Sequence, residues 1–348
     1  MPSSATSIRP KRQGGSRASS TPRARPSRAI EDGAIDTLTT RFARDLAALR
    51  PEGRARLGLA VSGGPDSVAL LLLMHEVAPH DFAVATVDHG LRPESAHEAG
   101  AVAALCAARA IPHTTLTLAL APGTGVQERA RAARYAALGD WAGREGLAAL
   151  VVAHHADDQA ETLAMRLNRG AGVRGLAGMR PRTMTPGHPH LPLLRPLLGW
   201  RRAELADVIA QAGIEAADDP SNRDARFERV RVRQGLAASD WLKAERLAAS
   251  AAHLAEADAA LDWAAALALA QVRDEGDALL WRPDAPRAVA LRVLESVVAR
   301  LGRSVPRGRD VARWHDALQA GGIATLAGVR GDARGDAWRF SVAAAHRV

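Results

Sequence analysis

The chain reads as an α/β protein with a doubly wound parallel sheet. A mainly helical C-terminal region follows and ends in a small β-hairpin. Three observations predict this. From residue 57 to residue 153, short apolar runs alternate with helix-length segments, the pattern of a parallel sheet covered on both faces. Past about residue 200 the runs give way to helical stretches rich in alanine and arginine. The tail, GIATLAGVRGDARGDAWRFSVA, alternates around Gly-Asp turns and reads as a hairpin.

Taken in order, residues 1–30 are rich in Ser, Arg, Pro and Gly. They lack both an apolar signal core and an apolar helical face, so they read as a disordered basic tail. The expected strands are LGLAV (57–61), FAVATV (82–87), TTLTLAL (114–120) and LAALVVA (147–153). Amphipathic stretches at 67–78, 94–110 and 126–145 connect them. WRRAELADVIAQAGI then reads as a helix, DDPSNRDARFERVRVRQGL as an arginine-studded loop entering a helix, and 240–270 as helical. The expected units are the tail 1–30, an α/β domain 31–235 and a C-terminal region 236–348.

The 348 residues suffice for two modest domains with buried cores. With 47% hydrophobic residues and a mean hydropathy of −0.12, the chain reads as soluble, and no apolar run is long enough to span a bilayer. A net charge of +8 favours a polyanionic partner, although nearly all of the cations are arginine, with Lys11 and Lys243 the only lysines. The single cysteine, Cys106, excludes an internal disulfide and reads as a small buried thiol, which suits a cytoplasmic protein.

Parallel sheets bind ligands beyond the carboxyl ends of their strands, and the chemically loaded residues fall there. Ser62 to Ser67 follow the first run, Asp88 and His89 the second, and His154 to Glu161 the fourth. Paired glycines permit positive φ and close approach of backbone to ligand. Successive N–H groups and a helix N-terminus attract an anion, and Ser62 and Ser67 add hydroxyls. Asp66 would repel a bare phosphate, so a metal ion between carboxylate and phosphates is expected, Mg2+ with Asp66 as its ligand. The stretch is neither a Walker A loop nor a dinucleotide G-x-G-x-x-G fingerprint.

The S-G-G-x-D-S pattern after a first strand resembles the pyrophosphate loop of the N-type ATP pyrophosphatases, which implies an adenine nucleotide alpha hydrolase-like, Rossmann-like domain that adenylates a substrate. Further blocks narrow the resemblance: VDHGLRPESAHEA (87–99), VQERARAARYAAL (126–138), VVAHHADDQAETLAMRLNRGAGVRGLAGM (151–179), RPLL (195–198) and DDPSNRDARFERVRVR (218–233). From about 55 to 235 the chain is similar to the tRNA(Ile)-lysidine synthetases. That resemblance implies ATP as co-substrate, isoleucine tRNA and free L-lysine as partners, and ligation of lysine to C2 of the wobble cytidine. It also implies a C-terminal tRNA-binding region.

On those blocks, Ser62, Gly63, Gly64, Pro65, Asp66 and Ser67 are expected to hold the ATP phosphates, with Asp88, His89 and His154 around the nucleotide. Asp158 and Glu161, three apart on one helix face, can hold an ammonium ion and take its proton. The resemblance gives them the lysine; Asp157 fits the cap of that helix better. Arg131 and Arg134 match the family's arginines and would steady charge on the transferred phosphoryl group, against the alternative of a solvated basic face. Gln127 and Tyr135 share that face, and Tyr135 fits core packing equally well. Arg223, Arg226, Arg229, Arg231 and Arg233 read as RNA phosphate contacts or a solvated face. The family shows R-N-R where this chain has Arg229-Val230-Arg231.

Rival readings fare worse. A metal hydrolase could use His89, His154, His155 and their aspartates, but the glycine loop argues for a nucleotide. A tRNA thiolase needs cysteines that this chain lacks. Amidotransferase relatives need a glutaminase partner or domain, and no second domain here has the catalytic Cys. A non-catalytic RNA-binding protein would have no physical reason to keep the loop and the D-x-x-E pair together.

Overall fold

The computed structural model describes residues 29–53, 55–90, 93–119, 125–214, 224 and 226–344, with side chains left out for 29–36, 93–94 and 126–127. Most of the basic tail, Gln127's side chain and Arg223 therefore lie outside the described residues. Ala29 and Ile30 already belong to the first helix, α1 (Ala29–Ala47).

The expected alternation follows as β1 (Leu57–Ala60), α2 (Pro65–Val77), β2 (Phe82–Asp88), α3 (Pro93–Ala107), β3 (His113–Thr117), α4 (Val126–Arg144) and β4 (Ala149–Val151). Then come α5 (Ala156–Asn168), α6 (Val173–Leu176) and a hairpin of β5 (Arg182–Thr185) and β6 (His188–Leu194). Sequence reading did not anticipate that hairpin, because its strands carry Pro189 and Pro192 among histidines instead of a clean apolar run. Its β6 nevertheless pairs parallel to β4, and β5 caps the edge antiparallel to β6.

The sheet order is β3-β2-β1-β4-β6-β5. The chain winds outward from β1 one way and returns to β4 on its other side, so the switch point lies between the carboxyl ends of β1 and β4. One face is covered by a core including Phe42, Leu70, Met74 and Trp200, the other by one including Tyr135, Leu138 and Trp141. β1 is buried at every position, which is why it reads as a continuous apolar run without alternation.

Helices α7 (Arg202–Ala212), α8 (Glu228–Ala238) and α9 (Ala244–Leu269) follow. Then come β7 (Arg273–Asp274), β8 (Ala278–Trp281), α10 (Arg287–Leu301), α11 (Gly308–Gln319), β9 (Ile323–Leu326), β10 (Val329–Asp332) and β11 (Trp338–Val342). The expected terminal hairpin is part of a five-stranded antiparallel sheet, β7-β8-β11-β10-β9. Its β9–β10 turn is the two-residue Ala327-Gly328, both at positive φ (51° and 85°), the geometry that matches strand twist. Trp281, Trp314, Trp338 and Phe340 pack its core against α10 and α11. Helix α9 packs against α5, α6 and α10 and so joins the two sheets.

Candidate active site

The loop 62–67 leaves the end of β1 and enters α2. Gly63 sits at φ +92°, a conformation open to glycine and costly for side chains. Gly64 does not need it: its φ is −70° at the N-cap, and its carbonyl accepts the N–H of Ser67 and Val68. The Ser67 hydroxyl donates to that same carbonyl at 2.8 Å and accepts the Ser62 N–H at 3.2 Å. Ser67, buried, therefore stitches the loop shut. The exposed Ser62 keeps its hydroxyl 3.2 Å from that of Ser67. Pro65 at the first helical position has no N–H to leave unsatisfied.

A cavity of about 160 Å³ opens beside this loop, lined by Ser62, Val87, His89, Ser95, Glu98 and Arg134. Asp88 stands at its edge of the sheet but is turned inward on its own loop. Its Oδ1 accepts the Ser95 hydroxyl and the Gly90 N–H, and these bonds hold its carboxyl below the usual range. Arg131 is exposed and lays its guanidinium over the Tyr135 ring at 5.1 Å. Tyr135 itself is in the core, as its packing alternative required.

At the start of α5 the structure places a residue that sequence reading used only in a discarded hydrolase reading. His155 is fully buried. Its Nε2 lies 3.3 Å from Asp66 and 3.5 Å from Asp158, and its Nδ1 lies 3.5 Å from Asp157. Burial alone would lower its pKa; contact with Asp157 and Asp66 overrides that and raises it to about 9. At Asp66 burial works to raise the carboxyl, but the same imidazolium together with the Arg202 and Arg233 charges depresses it, and the imidazolium holds Asp157 at about 2. His154 beside it is pushed down to about 4 by burial and stays neutral. The adjacent pair of histidines thus divides into one cation and one neutral ring.

The cap of α5 also differs from expectation. Asp158, at the third helical position, reaches back to accept the His155 N–H at 3.1 Å, the reach that a carboxylate has from there. Asp157 instead accepts the Arg202 N–H at the start of α7, at 2.9 Å.

Asp158 and Glu161 are brought together as the spacing predicts, but with α8 against them. Arg229 donates to Glu161 at 2.5 Å and to Asp158 at 2.7 Å; Arg233 donates to Glu161 at 2.6 Å. Glu161 is 2% exposed. Two arginines expected at RNA phosphates therefore face inward. Arg226 pairs with Asp224 on the surface, and Arg231 donates to the Arg226 carbonyl. Val230 is buried, on the helix that packs against α5, where an apolar side chain suits the contact. Arg202, 3.5 Å from Asp66, was read only as part of a helix; nothing but its place after the RPLL block could have flagged it.

Residues 38–239 match the sequence model of the PP-loop domain. The tRNA(Ile)-lysidine synthase of Novosphingobium aromaticivorans is 60% identical over 310 residues, covering 88% of this chain and 94% of the relative. This chain belongs to the tRNA(Ile)-lysidine synthase family. The Zymomonas mobilis synthase is 42% identical, covering 82% of this chain and 88% of its own length. Among solved structures, the U34-tRNA thiolase NcsA of Methanococcus maripaludis, with its [4Fe-4S] cluster, shares the fold at TM-score 0.52 and 15% identity, over 65% of this chain and 80% of its own. The loop, carboxylates and arginines described above all fall inside the PP-loop match. No helix among the described residues is long and apolar enough to cross a membrane.

Proposed function

We propose that this chain uses ATP to join free L-lysine to C2 of the wobble cytidine of isoleucine tRNA, forming lysidine. The cytosine O2 attacks the α-phosphorus and pyrophosphate leaves. The lysine ε-amine then attacks C2 and loses its proton, and AMP departs with the former O2. Catalysis of this kind is mainly positioning and charge stabilisation.

In this reading the N–H groups of 62–67 and the Ser62 hydroxyl take the phosphates, with the nucleotide beside His89 and Asp88. Arg134, lining the cavity with Ser62, and Arg131 steady charge on the transferred group. Asp158 and Glu161 receive the amine and its proton, and His154, neutral, adds a polar edge without charge. Asp66 suits Mg2+: it meets His155 and Arg202 through Oδ2, while Oδ1 has no hydrogen bond among the described residues. Magnesium needs only one or two protein carboxylates, the phosphates and water supplying the rest, and would neutralise phosphate charge there. The catalytic unit is 31–235, and 236–348 is the tRNA-binding region. A cytoplasmic location follows from that substrate.

The observation that carries the reading is the chain Asp66–His155–Asp158. One buried imidazolium ties the nucleotide loop to the carboxylate pair, so activation and amine attack share one place. The thiolase alternative lacks a sulfur carrier, since Cys106 is the single cysteine and is buried in α3. Purified protein, unmodified isoleucine tRNA with a CAU anticodon, ATP and labelled lysine test it. We expect tRNA-dependent pyrophosphate release and label in the tRNA; ATP cleavage that ignores tRNA, or none, would overturn the reading.

A further inference from the structure

A second cavity, of about 430 Å³, adjoins Glu161 between the start of α7 and the turn from α8 into α9. Against the ~30 Å³ share of one water it is roomy enough for a six-carbon amino acid. Its lining mixes both signs of charge: Asp157, Glu161 and Glu245 with Arg201, Arg202, Arg233 and Lys243.

The two signs are not equally engaged. Glu161 is held by Arg229 and Arg233, Asp157 by the Arg202 N–H, and Glu245 by Arg201 at 3.2 Å. All three anions have partners in the chain. Among the cations, Arg202 reaches Asp66 only at 3.5 Å, and its buried Nε has no hydrogen-bond partner. The Lys243 side chain has no hydrogen bond or ion pair among the described residues. A buried donor without an acceptor, such as the Arg202 Nε, is rare and marks either strain or a missing ligand, and the exposed Lys243 ammonium on the same cavity is free to share that ligand. The surplus capacity here is cationic, so the missing ligand carries an anion.

We infer that this cavity seats the α-carboxylate end of the amino-acid substrate, with Lys243 and Arg202 as its receptors. The inference rests on the functional reading above and deepens it. A phosphate would put two negative charges against Asp157 and Glu161. An α-amino acid brings a single carboxylate for the two cations, and its α-ammonium can stay in the solvent at the exposed Glu245. Glu161 belongs to this cavity and shares Arg229 with Asp158, so a side chain anchored at Lys243 has a carboxylate route toward the reacting base. Such an anchor would select lysine over diamines, which present the same amine without the carboxylate.

Lys243 precedes α9 and is exposed, so its replacement leaves the fold intact. The test measures KM for lysine and the inhibition constant of lysinamide, whose carboxylate is neutralised, at saturating ATP and tRNA. For Lys243→Ala we expect KM for lysine to rise about tenfold with kcat within twofold, lysinamide binding unchanged, and Lys243→Arg to restore the lysine KM. Equal weakening of lysine and lysinamide, an unchanged lysine KM, or a raised KM for ATP in its place would overturn it; the last would mark a phosphate receptor. A wild-type chain that attaches no lysine sinks the functional reading and this inference together. A wild-type chain that attaches lysine, with Lys243→Ala indistinguishable from it, sinks the inference alone.

Discussion

Glu161 and Asp258 invite comparison, because each is a buried acid held by two guanidiniums. Glu161, 2% exposed, meets Arg229 and Arg233; Asp258, 3% exposed, meets Arg180 and Arg292. Their surroundings differ. The guanidinium side chains at Glu161 keep 40% and 28% of their surface exposed, and that acid lines the 430 Å³ cavity with its surplus cations. At Asp258, Arg292 is only 10% exposed, and it continues to Asp262, which in turn meets Arg174. That cluster joins the loop after α6 to α9 and α10, the seam between the two sheets. The same three-group chemistry therefore occurs twice, and the difference lies in one guanidinium: Arg180 is about as exposed as Arg233, whereas Arg292 is nearly sealed and bridges to a second acid.

The largest expected effect lies at the site's far end. Asp66→Ala removes the carboxylate that His155 ties to Asp158, and tRNA-dependent pyrophosphate release should fall about a thousandfold, ~4 kcal/mol of barrier. The protein should remain folded by circular dichroism. Retained pyrophosphate release would break the assignment of the whole loop.

Asp258→Ala should do the opposite. It leaves the nearly buried Arg292 with Asp262 alone and takes from Arg180 its carboxylate, and removing one partner of a buried pair costs about 3 kcal/mol or more, read as a lowered urea midpoint. Turnover per folded molecule should stay within about twofold. Next in size, Glu161→Gln should raise the lysine KM about tenfold, or ~1.4 kcal/mol. Its stability loss should be smaller than that of Asp258→Ala, because Arg229 and Arg233 can turn to water. If Glu161→Gln destabilised as much and left the lysine KM alone, the two clusters would be of one kind.

The half of this contrast near the site was legible in the sequence; the half at the seam was not. Ser62 to Ser67 and the Asp158/Glu161 spacing announce themselves because local order fixes them: a strand, a turn, a helix face. The pairing of Arg229 with Glu161 spans 68 residues, and that of Arg180 with Asp258 spans 78. Such contacts are set by how α8 and α9 pack on α5, which periodicity does not reveal. His155 was visible as a residue but not as a cation, since its charge depends on three carboxylates from two chain segments. The β5–β6 hairpin and β7 escaped because short strands with proline or polar residues leave little alternation to read, and β8, the four apolar residues ALLW, is too short to tell from a buried helix segment.

The smallest expected effect marks where the seam cluster ends. Arg174 donates to Glu295 at 2.5 Å and to Asp262 at 3.3 Å, with Arg174 54% exposed and Glu295 35%. Exposed pairs of this kind are worth under about 1 kcal/mol and weaken with salt. Glu295→Gln should therefore shift stability by no more than about 0.5 kcal/mol, and the shift should shrink between low and high salt in urea titrations. A loss comparable to that of Asp258→Ala, insensitive to salt, would mean that the rim and the buried acid act as one cooperative network. In that case the buried acid and its exposed rim would stand or fall together, and the seam would not divide into a buried part and a solvated one.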